Sequence, residues 1–282
     1  LSSRGAAAEA RRRQAWRRRA ALHTLAALLL VAALFPFFWL LQMSFRSNED
    51  ILGLNLLFAP TLENYRALRV GQFPHSFLNS ALASSASTLL SLLIGVPAAY
   101  ALSRVEFRAR RQIALWILAT RMAPPIAFTI PFFLAYRDLD LLDTVSGLVI
   151  IYLTFNLALV IWMMRTFFES VPRALEEAAW IDGSSVWGAF LRVTLPLAAP
   201  GLAATAVLCF IFSWNDFFYA LILTRTAAMT APVAIVNFMQ YEGWEWGKIA
   251  AGGTLVMLPV VVFSVLVRRY LISGLTIGAV KQ

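Results

Sequence analysis

Glu177-Ala178-Ala179-Trp180-Ile181-Asp182-Gly183, then nine residues, then Val193-Thr194-Leu195-Pro196, is the stretch on which the reading of this chain turns. It is a polar gap between two long apolar blocks, yet it has a helical period of its own. Leu175, Ala178 and Ala179 recur at i, i+3, i+4, and Trp187, Phe190 and Leu191 repeat that spacing. Between these runs lies Asp182-Gly183-Ser184-Ser185. Gly183 suits the φ > 0 residue that ends a helix, Ser184 or Ser185 suits the N-cap of the next, and Pro172 suits the first turn of the first. The pattern predicts two short helices joined by a tight turn, lying against a membrane with apolar side chains exposed.

The blocks on either side set the class. Of 282 residues, 60% are hydrophobic and 14% charged, where soluble domains carry about a quarter charged. The net charge of +9 does not point to nucleic acid. The bases cluster at the ends of apolar runs, which is how membrane orientation is encoded. Cys209 is the single cysteine and lies inside an apolar run. It has no partner for an internal disulfide and reads as a buried small hydrophobe.

The fold class predicted is all-α: a polytopic transmembrane bundle of six spans with a cytoplasmic helix-turn-helix, to which the resemblance given below assigns coupling. A basic arm, 1–19, precedes a membrane domain over 20–267, and a tail follows at 268–282. The spans fall at about 20–43, 77–102, 113–135, 146–164, 201–223 and 249–267, with the coupling loop at 166–200. A signal peptide has an apolar region of about 7–15 residues. The first block is longer and lacks a small-x-small cleavage site, so it reads as a retained span. With both termini inside, about 17 of the 24 Lys and Arg fall on cytoplasmic segments and about 6 on external ones, the bias expected when the 166–200 loop faces the cytoplasm.

Several spans carry residues that hydrocarbon alone does not explain. The third holds Arg121 and Pro124-Pro125. Adjacent prolines remove two backbone donors, and a helix broken at membrane depth must be buried in protein or line a water-filled cavity. Arg121 has two readings, a functional site or a snorkelling residue near an interface. Asn156, in the fourth span, either hydrogen-bonds across helices or faces a path. Asn215 and Asp216 sit in the fifth; Asp216 reads as a structural or gating acid near the outer mouth, or as a substrate contact. Pro97 predicts a kink or break in the second. In the loop at 224–248, Tyr241, Trp244 and Trp246 form either an interfacial aromatic belt or a surface that stacks on sugars. No phosphate-binding Gly-x-x-x-x-Gly-Lys-Ser/Thr is present, His23 and His75 are far apart, and no metal-ligand or nucleophile spacing appears. No catalytic and no metal-binding residues are predicted.

Glu177-Ala178-Ala179, three residues, Gly183, nine residues, Val193-x-Leu195-Pro196 resembles, with no departure in spacing, the cytoplasmic-loop signature of permease subunits in bacterial binding-protein-dependent ABC importers. Trp214-Asn215-Asp216-Phe217 resembles the same family at the same place. Gly274-Leu275-Thr276-Ile277-Gly278-Ala279-Val280-Lys281 resembles its carbohydrate-uptake branch, of the maltose and trehalose type. The resemblance implies a multi-pass protein of the bacterial cytoplasmic (inner) membrane with both termini cytoplasmic. It implies half of a pathway for a disaccharide, an oligosaccharide or a polyol. A second permease subunit, two copies of an ATPase and an extracytoplasmic sugar-binding protein are the partners implied, with lipid around the spans. ATP and Mg belong to the ATPase, and this chain needs no cofactor and is not an enzyme. Glu177, Ala178, Ala179, Asp182, Gly183, Leu195 and Pro196 are then the ATPase-coupling residues. Lys281 and Gln282 are tail contacts to the ATPase, and the 224–248 loop reaches toward the binding protein. The rival class is a secondary carrier or channel without ATPase partners. It needs coupling-ion sites, usually paired acids within spans, and Asp216 has no obvious partner.

Overall fold

In a computed structural model of the chain, residues 2–54, 57–240 and 243–279 are described, with side chains for 16–54, 57–239 and 243–266. The order is α1 (Ser2–Met43), α2 (Asn48–Leu52), α3 (Glu63–Val70), α4 (Phe73–Arg104), α5 (Arg110–Met122), a 3-10 turn (Pro125–Phe128), α6 (Thr129–Asp138), α7 (Val145–Ser170), α8 (Arg173–Ile181), α9 (Val186–Ala189), a π-helical turn (Phe190–Thr194), α10 (Leu195–Leu197), α11 (Ala199–Trp214), α12 (Phe218–Leu223), α13 (Ala231–Val236), β1 (Met239–Gln240), β2 (Gly243–Trp244) and α14 (Trp246–Ala279). Among the described residues, α1, α4, α7 and α14 each contain a stretch long and apolar enough to cross a bilayer. Two bent pairs bring the number to six if each is one span: Arg110–Met122 with Pro125–Asp138, bent by 92°, and Val186–Leu197 with Ala199–Trp214, bent by 76°. The protein is an all-α polytopic bundle.

The most extensive helix pair is α4 with α7, and α11 packs on both. The reason lies in the small residues of α4. Ser76, Ser80, Ala83, Ser84, Ser87, Ser91 and Ala99 are all buried, most of them three or four residues apart, which lets the backbones approach. At Gly95 the approach of α7 is close: a Cβ there would lie 2.7 Å from the Val160 side chain. Two apolar cores result. One gathers Leu68, Phe73, Tyr136, Leu148, Tyr152 and Leu223; the other gathers Val96, Tyr100, Val160, Met164, Phe168 and Phe190. Asn156, fully buried, lies in sequence between them on α7 and donates to Ser87 Oγ on α4 at 3.1 Å and to Ser213 Oγ on α11 at 2.8 Å. The first core leads to the β-hairpin end of the molecule, the second to the α8–α10 end.

Three local expectations are revised and one holds. Pro97 breaks nothing: α4 runs without interruption from Phe73 to Arg104. The third span is broken at its prolines as expected, because Ala123 and Pro124 are both extended at ψ 128°, as a residue preceding proline tends to be. The fifth does not run on to 223. Its helix ends at Trp214, Asn215 caps it, and α12 is separate. The loop at 224–248 holds a helix and a two-stranded antiparallel hairpin.

Candidate functional site

Between α7 and α11 the chain folds into a small platform. Helix α8 begins after Pro172, which stands at the cap and not in the first turn, and ends at Ile181. Gly183 then takes φ +83°, the left-handed region in which a Cβ is strained. Gly183 N–H donates to the Trp180 carbonyl at 3.0 Å, and Ser184 N–H to that of Ala179 at 2.9 Å. These bonds satisfy carbonyls that a helix end otherwise orphans. Of the two serines it is Ser185 that caps the next helix, its Oγ accepting from Gly188 N–H at 3.1 Å. The helix continues through the π turn to Leu197 and bends sharply into α11. The aromatic run divides. Phe190 is buried, with its ring centroid 4.5 Å from that of Tyr100 on α4. Trp187 and Leu191 stay exposed. Leu175, Ala178, Ile181 and Val186 are exposed too, as are Glu177, Asp182, Gly183 and Pro196; Ala179 and Leu195 are half-buried.

Beneath this surface lies a residue the sequence reading passed over. Glu176 is 1% exposed. Its Oε1 accepts from Arg104 Nε at 2.8 Å and from Thr194 Oγ1 at 2.7 Å, and its Oε2 from Tyr100 Oη at 3.0 Å. Arg104 also donates to the Val171 carbonyl at 3.0 Å. Burial works to raise the Glu176 carboxyl. The hydrogen bonds from Arg104 and Thr194, the Arg104 charge and the Tyr100 hydroxyl outweigh it and hold the group below its usual range. Breaking a buried pair of this kind by removing one partner costs about 3–5 kcal/mol. The sequence carries no signal that separates buried Glu176 from exposed Glu177, because its partners lie far away along the chain.

The other predicted residues are scattered. Arg121 is exposed at the end of α5, its guanidinium 5.0 Å from the centre of the Phe212 ring on α11. Pro124 and Pro125 are exposed at the 92° bend. Asn215 is exposed and donates back to the Ile211 carbonyl. Asp216 accepts from Ala220 N–H at 3.1 Å, capping α12. Trp244 and Trp246 sit together, ring centroids 4.8 Å apart, and Trp246 N–H donates to Asn48 Oδ1. Tyr241, Lys281 and Gln282 lie outside the described residues.

Asp143, which the sequence reading also missed, closes the hairpin end. It follows α6 with φ +54°. Its carboxylate accepts from the backbone N–H groups of Arg225, Thr226, Ala227 and Ala228 at 2.8–3.1 Å. Burial works to raise this carboxyl, but the four amides outweigh it and lower it from 3.8 to about 2.

The geometry is that of an all-α membrane bundle with broken spans and a turn-centred platform in one connection. Comparison with known proteins specifies the kind. Residues 91–276 match the family described as binding-protein-dependent transport system inner membrane component. The trehalose transport system permease protein SugB of Mycobacterium tuberculosis is 40% identical over 254 residues, covering 88% of this chain and 93% of its own. The trehalose/maltose transport system permease protein MalG of Thermococcus litoralis is 37% identical, over 91% of this chain and 94% of its own. A crystal structure of a bacterial ABC transporter that imports the acidic polysaccharide alginate contains a chain with TM-score 0.73 and 29% identity, covering 88% of this chain and 94% of that one. The chain belongs to the binding-protein-dependent transport system inner membrane component family.

Proposed function

We propose that this chain forms half of the translocation pathway of an ATP-driven importer for a sugar or polyol. A second permease subunit completes the pathway, two ATPase subunits dock on the α8–α10 platform, and an extracytoplasmic binding protein delivers the substrate. One observation carries this reading. A platform that exposes Ile181, Val186, Trp187 and Leu191 to the surroundings is joined to the bundle by a buried ion pair. An exposed apolar patch of this kind marks an interaction surface. Gly183, where an added Cβ meets nothing within 4 Å, leaves its turn open to a close-fitting partner. ATP and Mg are held by that partner, and both termini are cytoplasmic, as the distribution of Arg and Lys supports. The carbohydrate class is supported by the names of the trehalose and trehalose/maltose relatives. Arg121, Pro124, Pro125, Asn215 and Asp216 line or gate the pathway in this reading, while Asn156 takes the interhelical role of its two alternatives. The Trp244–Trp246 pair faces the binding protein or its sugar, and the tail at Lys281 and Gln282 contacts the ATPase.

The test is reconstitution. The chain is expressed with the ATPase and permease encoded beside it, placed in liposomes with the binding protein, and ATP hydrolysis is followed as sugars are added. Stimulation by one sugar class, with uptake of that sugar, is expected. Replacing Gly183 with tryptophan is expected to abolish uptake while membrane insertion stays normal. Uptake that persists without any ATPase subunit identifies a secondary carrier instead.

A further inference from the structure

The contacts around Glu176 join the platform to one helix in particular. Tyr100 and Arg104 belong to α4, and Thr194 to the π turn. Two further arginines hold the same end of α4. Arg110 Nη2 donates to the Ser103 carbonyl at 3.2 Å, and Arg173, the first residue of α8, donates to that carbonyl at 3.4 Å. These carbonyls are among those a helix leaves without partners at its C-terminus, where cations are favoured. The Tyr100 ring completes the joint by packing edge-on against Phe168 of α7 and tilted against Phe190. By contrast, α8 has its exposed Glu177 and Ile181 free of such ties to the bundle.

We propose that Glu176 is a positioning residue: a buried pin that fixes both halves of the docking platform to the end of α4, so that platform and α4 move as one body. This rests on the platform being the place where the ATPase docks. The chemistry suits a pin. A carboxylate in a water-poor site, bonded by a guanidinium and two hydroxyls from two other elements, has no room to exchange partners with solvent. Thr194 brings in the second half of the platform and Arg104 the helix, so one side chain sets the angle among three pieces. A stroke delivered to the exposed face then reaches α4, and α7 through the Gly95–Val160 contact, instead of bending the loop. Glu177, one residue on, points outward and does none of this.

The experiment uses the complete importer in liposomes. Sugar moved per ATP hydrolysed is compared for wild type, Glu176→Ala and Glu176→Gln, the last keeping volume and one acceptor oxygen. Loss of the pin is expected to lower that ratio about tenfold in Glu176→Ala, within the range over which linked sites communicate, and by less in Glu176→Gln, while assembly and ATP hydrolysis persist. Nitroxide labels at exposed Ala101 and Arg192, in a Cys209→Ala background, read the joint itself. One narrow distance, the same with and without ATP, is expected in wild type, and a broadened one in both variants. Should Glu176→Ala fail to assemble, Glu176→Gln and the label distance decide. A wild-type distance that changes on ATP binding, or an unchanged sugar-to-ATP ratio in Glu176→Gln with an unchanged distance, overturns the pin and leaves the docking reading standing. Sugar uptake without any ATPase overturns the docking reading, and the pin with it.

Discussion

The two apolar cores are closed by carboxylates in opposite ways. At the hairpin end Asp143 accepts from four successive backbone amides of one loop. At the platform end Glu176 accepts from three side chains, Tyr100, Arg104 and Thr194. The first arrangement depends mainly on loop geometry, with the Thr226 hydroxyl adding one long bond of 3.4 Å. The second depends on each residue by identity. The hairpin end is therefore held by backbone, while the platform end is held by a network that a single substitution disconnects. The platform, proposed above to take force from a partner, is held by charge and aromatic packing, and the hairpin end by amides.

The most severe test of this contrast lies in the platform-end core. Gly95→Leu forces a side chain into the space of Val160 and is expected to cost about 3 kcal/mol, the upper range for overpacking. Thermal unfolding in detergent measures it, and Val160→Ala in the same chain is expected to restore part of the loss. A Gly95→Leu protein as stable as wild type would mean that α4 and α7 are not in close contact.

Next in size is the hairpin end. Asp143→Ala removes a charged acceptor from four amides, and a loss of about 2 kcal/mol is expected. Arg225→Ala leaves its amide in place and is expected to change stability by less than about 0.5 kcal/mol. Equal losses from the two would show that side chains hold this end as well, and the contrast would fail.

Acid sharpens the comparison. Asp143 has a folded-state value of about 2 against the usual 3.8. A depressed carboxylate adds stability that is fully present above the unfolded value and is lost as pH falls through the folded one. The contribution of Asp143 is thus expected to disappear between about pH 4 and pH 2. Glu176 is shifted in the same direction, so its contribution is also lost on acidification below the usual carboxylate range. The melting temperature of Asp143→Asn is expected to fall less steeply than that of wild type over the same window. A parallel fall would remove Asp143 from the acid response.

The smallest effect belongs to the layer between the cores. Asn156→Ala deletes its two donated bonds, at an expected cost of about 1 kcal/mol, read by the same melts. It is small because Ser87 and Ser213 keep local alternatives as hydroxyls.

Much of the platform is legible in the amino-acid sequence. Gly183 was marked by the break between two helical periods, and Ser184 or Ser185 by the cap such a break needs. The break at Pro124-Pro125 was also legible, because proline chemistry is local; the 92° it produces was not, since an angle depends on what the two halves pack against. The carboxylate anchors escaped for a different reason. Arg104 is 72 residues from Glu176, and the amides that bind Asp143 are 82 to 85 residues away. No period links such partners. Glu177 fits the recurring pattern, whereas Glu176 does not. Asp216 was read as a lone acid at membrane depth, but its oxygen caps the short helix α12. That cap became visible only once the fifth span was seen to stop at Trp214.

The central claim, that the α8–α10 platform is the surface on which an ATP-hydrolysing partner acts, is tested most directly by accessibility. Asp182→Cys is made in a Cys209→Ala background and exposed to a membrane-impermeant maleimide. Labelling is expected only when the cytoplasmic face is opened, and protection is expected when the ATPase subunits are assembled on the complex. Labelling of intact spheroplasts from outside, or equal labelling with and without those subunits, would contradict the account.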